Sequence, residues 1–178
     1  YPETMLHVIG AVAYGVEQYV RATADSEFLI EHGAEMLLET ARFWASRAEY
    51  DGEHGRYEIH NVVGPDEVHP YVDNNFYTNL LARWNIRRAI SVLDEIRSLN
   101  SEASRSLVDR LEITDEETDV WRNVADKIHL PVDAKTGVYE QFDGYFNLLD
   151  RTIEEHDDNN MPKWPKGLDI RYLKDSQV

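Results

Sequence analysis

The spacing of apolar residues predicts two long helices in the first part of the chain. In residues 3–20, apolar side chains recur every three or four positions, which is the period of an amphipathic helix. A second helix is predicted to begin at Asp25 or Ser26, either of which is a suitable N-cap, and to end near residue 49. The linker of four or five residues between them predicts an αα-hairpin.

A third long helix is predicted over residues 72–99, and its apolar side would carry Tyr77, Leu80, Leu81, Trp84, Leu93 and Ile96. Thr114 is followed by three acidic residues, a pattern that predicts the N-cap and first turn of a helix reaching about residue 128. The pattern as a whole therefore indicates an all-α chain.

The segments between these helices are long. Residues 56–63 (RYEIHNVV) have the content of a short extended segment that ends at Gly64 and Pro65. Residues 130–150 predict irregular structure, and residues 168–178 predict the start of another helix. Long loops in a compact helical domain are usually functional or disordered. These loops are rich in aromatic and amide side chains, which suit a sugar site because sugar rings present apolar faces and hydroxyl rims.

Composition narrows the function classes. The 34 acidic and 18 basic residues give a net charge of −16, which argues against duplex nucleic acid and anionic membrane as partners. The absence of cysteine and of an Asn-x-Ser/Thr acceptor favours a cytoplasmic setting, and no run approaches the ~20 apolar residues of a membrane span. A length of 178 residues suits one domain, and because the first residue is Tyr1, we expect a piece of a longer chain.

One polar stretch carries the strongest chemical signal. Residues 60–75 read HNVVGPDEVHPYVDNN and contain the acidic pair Asp66 and Glu67 directly after Gly-Pro, which stiffens a turn. A carboxylic acid on such a turn can protonate a glycosidic oxygen if it sits in a dry pocket. Tyr71, Phe76 and Tyr77 could build that pocket. The plain alternative is two acids on a surface turn.

Other interpretations of these letters are weaker. The DEVH sequence imitates a helicase box, but no GxxxxGK[ST] phosphate loop accompanies it. A metal site from Glu67, His69 and Asp73 would match no established spacing, so no metal is predicted. Residues 137–148 (GVYEQFDGYFNL) fit an aromatic loop packed on helix ends, and residues 154–160 (EEHDDNN) fit a solvated charge run better than a cation site.

Three motifs in register change this picture. The motifs NVVGPDEVHPYVDNNFYTN, GVYEQFDGYFNL and GLDIRYLKDSQV resemble glycoside hydrolase family 65, and the similarity covers essentially the whole chain. This family contains maltose, trehalose, kojibiose and nigerose phosphorylases and some hydrolases. The resemblance implies part of an (α/α)6 barrel of the six-hairpin glycosidase type, with long loops carrying short extended segments. Residues 1–178 would be a partial catalytic domain, without the family's N-terminal β-sandwich and C-terminal β domain.

The resemblance also implies a mechanism in which Glu67 is the general acid. Phosphate would attack the anomeric carbon from the opposite face, so that an α-linked glucosyl disaccharide yields β-glucose 1-phosphate and glucose. In the hydrolases of the family, water activated by a second carboxylate replaces phosphate. Neither the phosphate loop nor that carboxylate matches this sequence, so the piece alone is expected to be inactive. An inverting α-glucoside hydrolase and a non-catalytic helical binding module remain the alternatives.

Motif membership further predicts a set of sugar-contacting residues: His69, Asp73, Asn74, Asn75, Glu140 and Gln141. Each could instead position a neighbour, and Asp73 could cap the third helix. The resemblance implies no cofactor beyond inorganic phosphate as co-substrate, names a disaccharide as the partner and allows a homodimer.

Overall fold

A computed structural model of the chain describes residues 2–152, 154–163 and 175–177. Helices form most of this part. They are α1 (His7–Thr23), α2 (Ser26–Phe28), α3 (Ala34–Arg47), α4 (Phe76–Leu99), α5 (Ser101–Leu111) and α6 (Asp115–Lys127), and a π-helical turn (Leu29–Gly33) joins α2 to α3. Short 3-10 turns lie at Pro2–Thr4 and Tyr145–Asn147. The helix predicted for residues 168–178 falls mostly outside the described residues.

The first helical hairpin is confirmed, with corrected bounds. α1 begins at His7 because residues 2–4 form a separate 3-10 turn, and it ends where Ala24 adopts a left-handed conformation with φ 55°. The Asp25 carboxylate accepts a hydrogen bond from Phe28 N at 2.9 Å, so Asp25 is the N-cap of the second rod. This rod continues through the π-helical turn to Arg47.

α4 lies in the middle of the molecule and packs against α1, α3, α5 and α6. Its predicted apolar side is confirmed at Leu93 and Ile96, which are buried. It is wrong in the first half of the helix, where Tyr77 is 41% exposed and Leu80, Leu81 and Trp84 are only half-buried. The buried face is instead made of small and polar residues together with aliphatic ones: Thr78, Asn79, Ala82, Asn85, Ile86, Ala89, Val92, Leu93 and Ile96. Apolar periodicity missed the first half of this face because it includes buried amides that are satisfied within the protein, as where Asn85 Nδ2 donates to the Leu37 carbonyl at 3.1 Å.

The remaining helices follow from local capping. Asn100 ends α4 and also begins α5, where its Oδ1 accepts hydrogen bonds from Glu102 N at 3.1 Å and Ala103 N at 3.0 Å. This helix was not predicted. α6 confirms its prediction closely, because Thr114 Oγ1 accepts from Glu117 N at 3.1 Å. No helix in the described ranges has the length and apolar content of a membrane span.

Two loop regions gather at one end of the helices. The first begins after α3 with a hairpin, β1 (Glu49–Asp51) and β2 (Arg56–Glu58), and runs on to the start of α4. The predicted extended segment is therefore confirmed at β2, while β1 replaces the predicted end of the second helix. The other loop follows α6, and it joins the first where Ile128 pairs with Tyr57 of β2. The polar motifs therefore share one end of the fold.

Candidate active site

The Gly-Pro-Asp-Glu segment forms a tight turn at the tip of a narrow loop. Val62 and Val72 close the base of this loop by exchanging two backbone hydrogen bonds of 2.9 Å each. At the tip, Glu67 N donates to the Gly64 carbonyl at 3.1 Å. A Cβ at position 64 would collide with the Asn75 side-chain amide, so this turn requires glycine at that position.

Backbone strain is concentrated in this loop. Asn61, Glu67, Tyr71 and Asn74 all adopt left-handed conformations, with φ values of 56°, 58°, 60° and 52°. For a side chain such as Glu or Tyr this conformation costs about 1–2 kcal/mol per residue, so the surroundings must hold it in place. Conformations of this kind cluster at functional sites.

Glu67 itself is exposed at the tip of the turn. The dry pocket predicted around it is not formed by the described residues. Tyr71 and Tyr77 are 54% and 41% exposed, and Phe76 stacks on Tyr139 with ring centroids 4.5 Å apart. Within this chain, Glu67 is therefore a carboxyl group on a rigid support that faces solvent.

The loop that contains the second motif docks directly on the first. Phe76 N donates to the Gln141 carbonyl at 2.9 Å, and the Asn75 side-chain amide donates to the same oxygen at 3.2 Å. Asp143 N donates to the Asp73 carbonyl at 3.2 Å. The two motifs recognised in the sequence are thus one structural unit.

Half-buried Asp66, the residue before Glu67, forms an ion pair with buried His69. His69 is 3% exposed, and its Nδ1 donates to Asp66 Oδ2. Gln141 Nε2 donates to the same carboxylate oxygen at 2.5 Å. The other imidazole nitrogen, Nε2, donates to the Ser176 carbonyl at 3.0 Å. This contact brings the third motif of the sequence to the same place.

The environment sets the charges of this pair. Burial opposes the charged form of Asp66, but hydrogen bonds from His69 and Gln141 outweigh it and lower the pKa of the carboxyl below its ordinary value. Burial likewise opposes protonated His69, but the Asp66 carboxylate and the Ser176 carbonyl raise the pKa of the imidazole above its ordinary value. Both shifts favour the form of the pair in which Asp66 is a carboxylate and His69 an imidazolium.

The predicted sugar-contacting residues Asp73, Asn74 and Asn75 have structural partners. Asn75 caps α4, which corrects the prediction that Asp73 does so. Asp73 Oδ1 instead accepts from Asn61 N at 2.9 Å. Asn74 is 1% exposed, accepts from Ile59 N at 3.1 Å and donates to Asp143 Oδ2 at 2.7 Å. Direct sugar contact by these three residues stays a prediction, and their visible role is to fix the loop.

Glu140 and Gln141 also hold loop structure together. Glu140 is half-buried and its Oε1 accepts from Phe146 N at 3.1 Å, which supports the 3-10 turn of the second loop. Gln141 spans the two loops through its carbonyl and its side chain, as described above. Their sugar contacts likewise stay predictions.

A polar cleft of about 400 Å³ lies beside these loops. It is lined by Asp51, His54, Arg56, Glu58, His60, Val72, Asp73, Asn74, Phe142 and Asp143. Several of its polar side chains have partners: His60 lies 3.3 Å from Glu58 within the cleft, and Asp143 lies 2.9 Å from His129, which does not line it. Burial opposes the charged form of Asp143, but His129 and Asn74 lower its pKa. No group of three or more His, Cys, Asp or Glu in the described part of the chain is arranged to hold a metal ion.

Sequence reasoning singled out Glu67 but gave Asp66 no role. The structure shows Asp66 at the centre of the network that joins all three motifs. The signal that could have found it is the spacing of Asp66 and His69, since an acid and a histidine three residues apart can meet across a single turn.

Comparisons with known proteins agree with this geometry. The model of the glycosyl hydrolase family 65 central catalytic domain matches residues 2–177. A kojibiose phosphorylase from Caldanaerobacter subterraneus subsp. tengcongensis is 45% identical over 172 residues, which are 97% of this chain and 22% of that protein. A maltose phosphorylase from Bacillus subtilis is 29% identical over 178 residues, covering 97% of this chain and 23% of that protein.

A solved structure is similar to this chain in fold as well as in sequence. It comes from the human microbiome, is named provisionally as a kojibiose phosphorylase, and matches with a TM-score of 0.71 at 27% identity over 86% of this chain and 22% of that one. This likeness and the helical architecture confirm the predicted part of an (α/α)6 barrel. The chain spans about a fifth of the length of these relatives. It belongs to glycosyl hydrolase family 65, as part of the central catalytic domain of that enzyme family.

Proposed function

We propose that the protein containing this chain is an inverting disaccharide phosphorylase in which Glu67 is the general acid. The substrate is an α-linked glucosyl disaccharide, and a kojibiose-type linkage is the first to test because the kojibiose phosphorylase is more similar to this chain than the maltose phosphorylase. The products are glucose and β-glucose 1-phosphate.

This proposal is carried by one observation, the network of hydrogen bonds that holds the turn containing Glu67. Three separated segments converge behind its turn, through Asp66, Gln141 and Ser176, while the Glu67 carboxyl faces outward. A general acid must be held at a fixed distance from the oxygen that it protonates, and a rigid loop provides this better than a freely rotating surface side chain.

The chemistry divides between this chain and the rest of the protein. Glu67 gives its proton to the glycosidic oxygen as the bond to the anomeric carbon breaks, and glucose leaves with that proton. Phosphate forms the new bond on the opposite face and needs no catalytic base. The phosphate site is expected outside this chain. The bound disaccharide and the rest of the protein must therefore cover Glu67 and exclude water from it, because the described residues do not.

The test uses the full-length protein with phosphate and kojibiose, maltose or trehalose in turn. Glu67→Gln keeps the size of the side chain and removes the proton, so disaccharide turnover should fall about 10²- to 10⁴-fold. Glu53→Gln is the matched control, because Glu53 is also an exposed acid on a neighbouring turn, and it should leave the rate unchanged.

The products discriminate between the alternatives. Release of sugar phosphate by the native protein supports the proposal, and release of free glucose alone supports the α-glucoside hydrolase. Near-normal turnover by the Glu67→Gln variant would remove Glu67 from the mechanism. If the Glu53→Gln variant also loses turnover, the loss in Glu67→Gln is not evidence for a proton donor, because removing any exposed acid from these turns would then have the same effect.

A further inference from the structure

The imidazole of His69 stands between two acceptors on different segments. On one side lies the Asp66 carboxylate, in the same turn as Glu67, and on the other lies the carbonyl of Ser176. Because neither partner has a proton to give when Asp66 is ionised, only the doubly protonated ring satisfies both contacts. A neutral ring would leave one nitrogen lone pair facing an oxygen in a buried place.

The surroundings of the ring restrict it further. Phe142 and Tyr145 pack on it with ring centroids at 5.1 and 5.9 Å, so His69 is enclosed by aromatic side chains of the second loop. His69 is therefore not open to a sugar in this structure, although its motif predicted a sugar contact.

We propose that His69 is a positioning residue for the general acid: its imidazolium ties the Glu67 turn to residues 175–177 and to the aromatic second loop. The inference rests on the proposed function of Glu67. The strained φ of 58° at Glu67 is the feature that this tie maintains, since the preceding residue, Asp66, is fixed by His69 and Gln141. When the tie is broken, the turn relaxes and the carboxyl moves away from the glycosidic oxygen.

Among the described residues, three charged groups lie on or near the two sides of the ring. Asp66 faces it from the turn, and Arg151 and Asp175 approach the far side, where Arg151 Nε donates to Ser176 Oγ at 2.5 Å and Arg151 Nη2 lies 3.4 Å from Asp175. Within the described ranges, Asp66 is thus the charged group in direct contact with the ring. Its carboxylate favours the protonated ring, and loss of that proton at alkaline pH removes one of the two hydrogen bonds.

The experiment compares three variants of the full-length protein on the disaccharide and phosphate: His69→Gln, Glu67→Gln and the two combined. His69→Gln should lower kcat about 10²-fold, the size expected for a misplaced catalytic group, with little change in KM. If His69 acts through Glu67, the double variant should be no slower than Glu67→Gln alone.

A second substrate separates positioning from general damage. With α-glucosyl fluoride, the leaving fluoride is a weak base and needs little protonation, so both Glu67→Gln and His69→Gln should keep much more of their activity than on the disaccharide. The proposal is overturned if His69→Gln loses as much activity on the fluoride as on the disaccharide. It is also overturned if adding His69→Gln to Glu67→Gln lowers kcat by the same factor as His69→Gln does in the native protein.

Controls cover folding and the underlying function. His32→Gln is the control for the substitution itself. His32 lies 4.0 Å from Glu31 on the π-helical turn, away from the loops that carry Glu67, and both side chains are mostly exposed, so its loss should leave kcat unchanged. If His69→Gln does not fold, Asp66→Asn keeps the side-chain volume, weakens the same tie and should show a smaller loss with the same preference for the fluoride. If Glu67→Gln is inactive but both of these variants turn over normally, the positioning role is refuted and the general acid is retained.

Discussion

Asn75 offers a sharp test of how the site is joined to the fold. Its side chain is 1% exposed, and its Oδ1 accepts from both Thr78 N and Thr78 Oγ1 at 3.1 Å, which caps the 24-residue helix α4. Its Nδ2 donates to the Gln141 carbonyl at 3.2 Å. Asn75→Ala removes all three hydrogen bonds at once.

The magnitude follows from these contacts. Loss of an N-cap costs about 0.5–2 kcal/mol. Loss of the bond to the Gln141 carbonyl adds about 0.5–1.5 kcal/mol, and no more, because that oxygen keeps its bond from Phe76 N. The buried Thr78 hydroxyl also loses its acceptor, so we expect the free energy of unfolding to fall by about 2–4 kcal/mol in total.

Two further variants divide this loss. Asn75→Ser keeps a capping oxygen but cannot reach Gln141, so it should lose about 1 kcal/mol or slightly more. Thr114→Ala removes the exposed cap of α6 and should also lose about 1 kcal/mol. Urea unfolding of the chain, followed by the fluorescence of the buried Trp44 and Trp121, measures all three. If Asn75→Ala lowers the free energy of unfolding no more than Thr114→Ala does, the hydrogen bond from Asn75 to the Gln141 carbonyl does not add to stability, and the reasoning is wrong.

The remaining predictions concern the isolated chain. It should fold but catalyse no phosphorolysis. It should also self-associate, because Val8, Val12 and Tyr19 on one side of α1 are 48%, 48% and 45% exposed. Sedimentation and an assay for sugar phosphate test both predictions, and an active monomer would contradict them. The Asp66–His69 pair should also make stability depend on pH. Because the pKa of His69 is raised in the folded chain, its contribution to stability is complete below the ordinary value of 6.5 and is lost as pH rises through the folded pKa. Because the pKa of Asp66 is lowered, its contribution is complete above the ordinary value of 3.8 and is lost as pH falls through the folded pKa. The difference in unfolding free energy between the native chain and His69→Gln should therefore be largest between these values; a difference independent of pH would contradict it.

Local rules predicted the start of two helices. Thr114 was identified from the sequence as one cap and Asp25 or Ser26 as the other, and the structure has Thr114 and Asp25 as the caps. The start of α4 was misplaced because Asp73, Asn74 and Asn75 are three adjacent residues that can all cap a helix. Tertiary contacts decide between them, since Asp73 is engaged with Asn61 N and Asn74 with Ile59 N.

The missed helix has a different cause. α5 follows α4 with only Asn100 between them, and no glycine or proline marks the boundary. Apolar spacing cannot separate two such helices, but an asparagine followed by serine and glutamate is an N-terminal signal that could have been used. The first half of the buried face of α4 was missed because its amides are paired with groups distant in sequence, such as the Leu37 carbonyl.

The polar stretch at residues 60–75 now has a physical explanation. It is an irregular loop packed against helices, so its backbone N–H groups need partners that a helix or sheet would otherwise provide. The side chains of Asp73 and Asn74 supply some of these partners, while Asp66 and His69 pair with each other. Among the acids and histidines of this stretch, Glu67 alone has no side-chain hydrogen bond or ion pair to another described residue. A carboxyl group on a backbone turn that the fold fixes, with no partner in the described part of the chain, is available for chemistry, and this is the reason to look for the proton donor there.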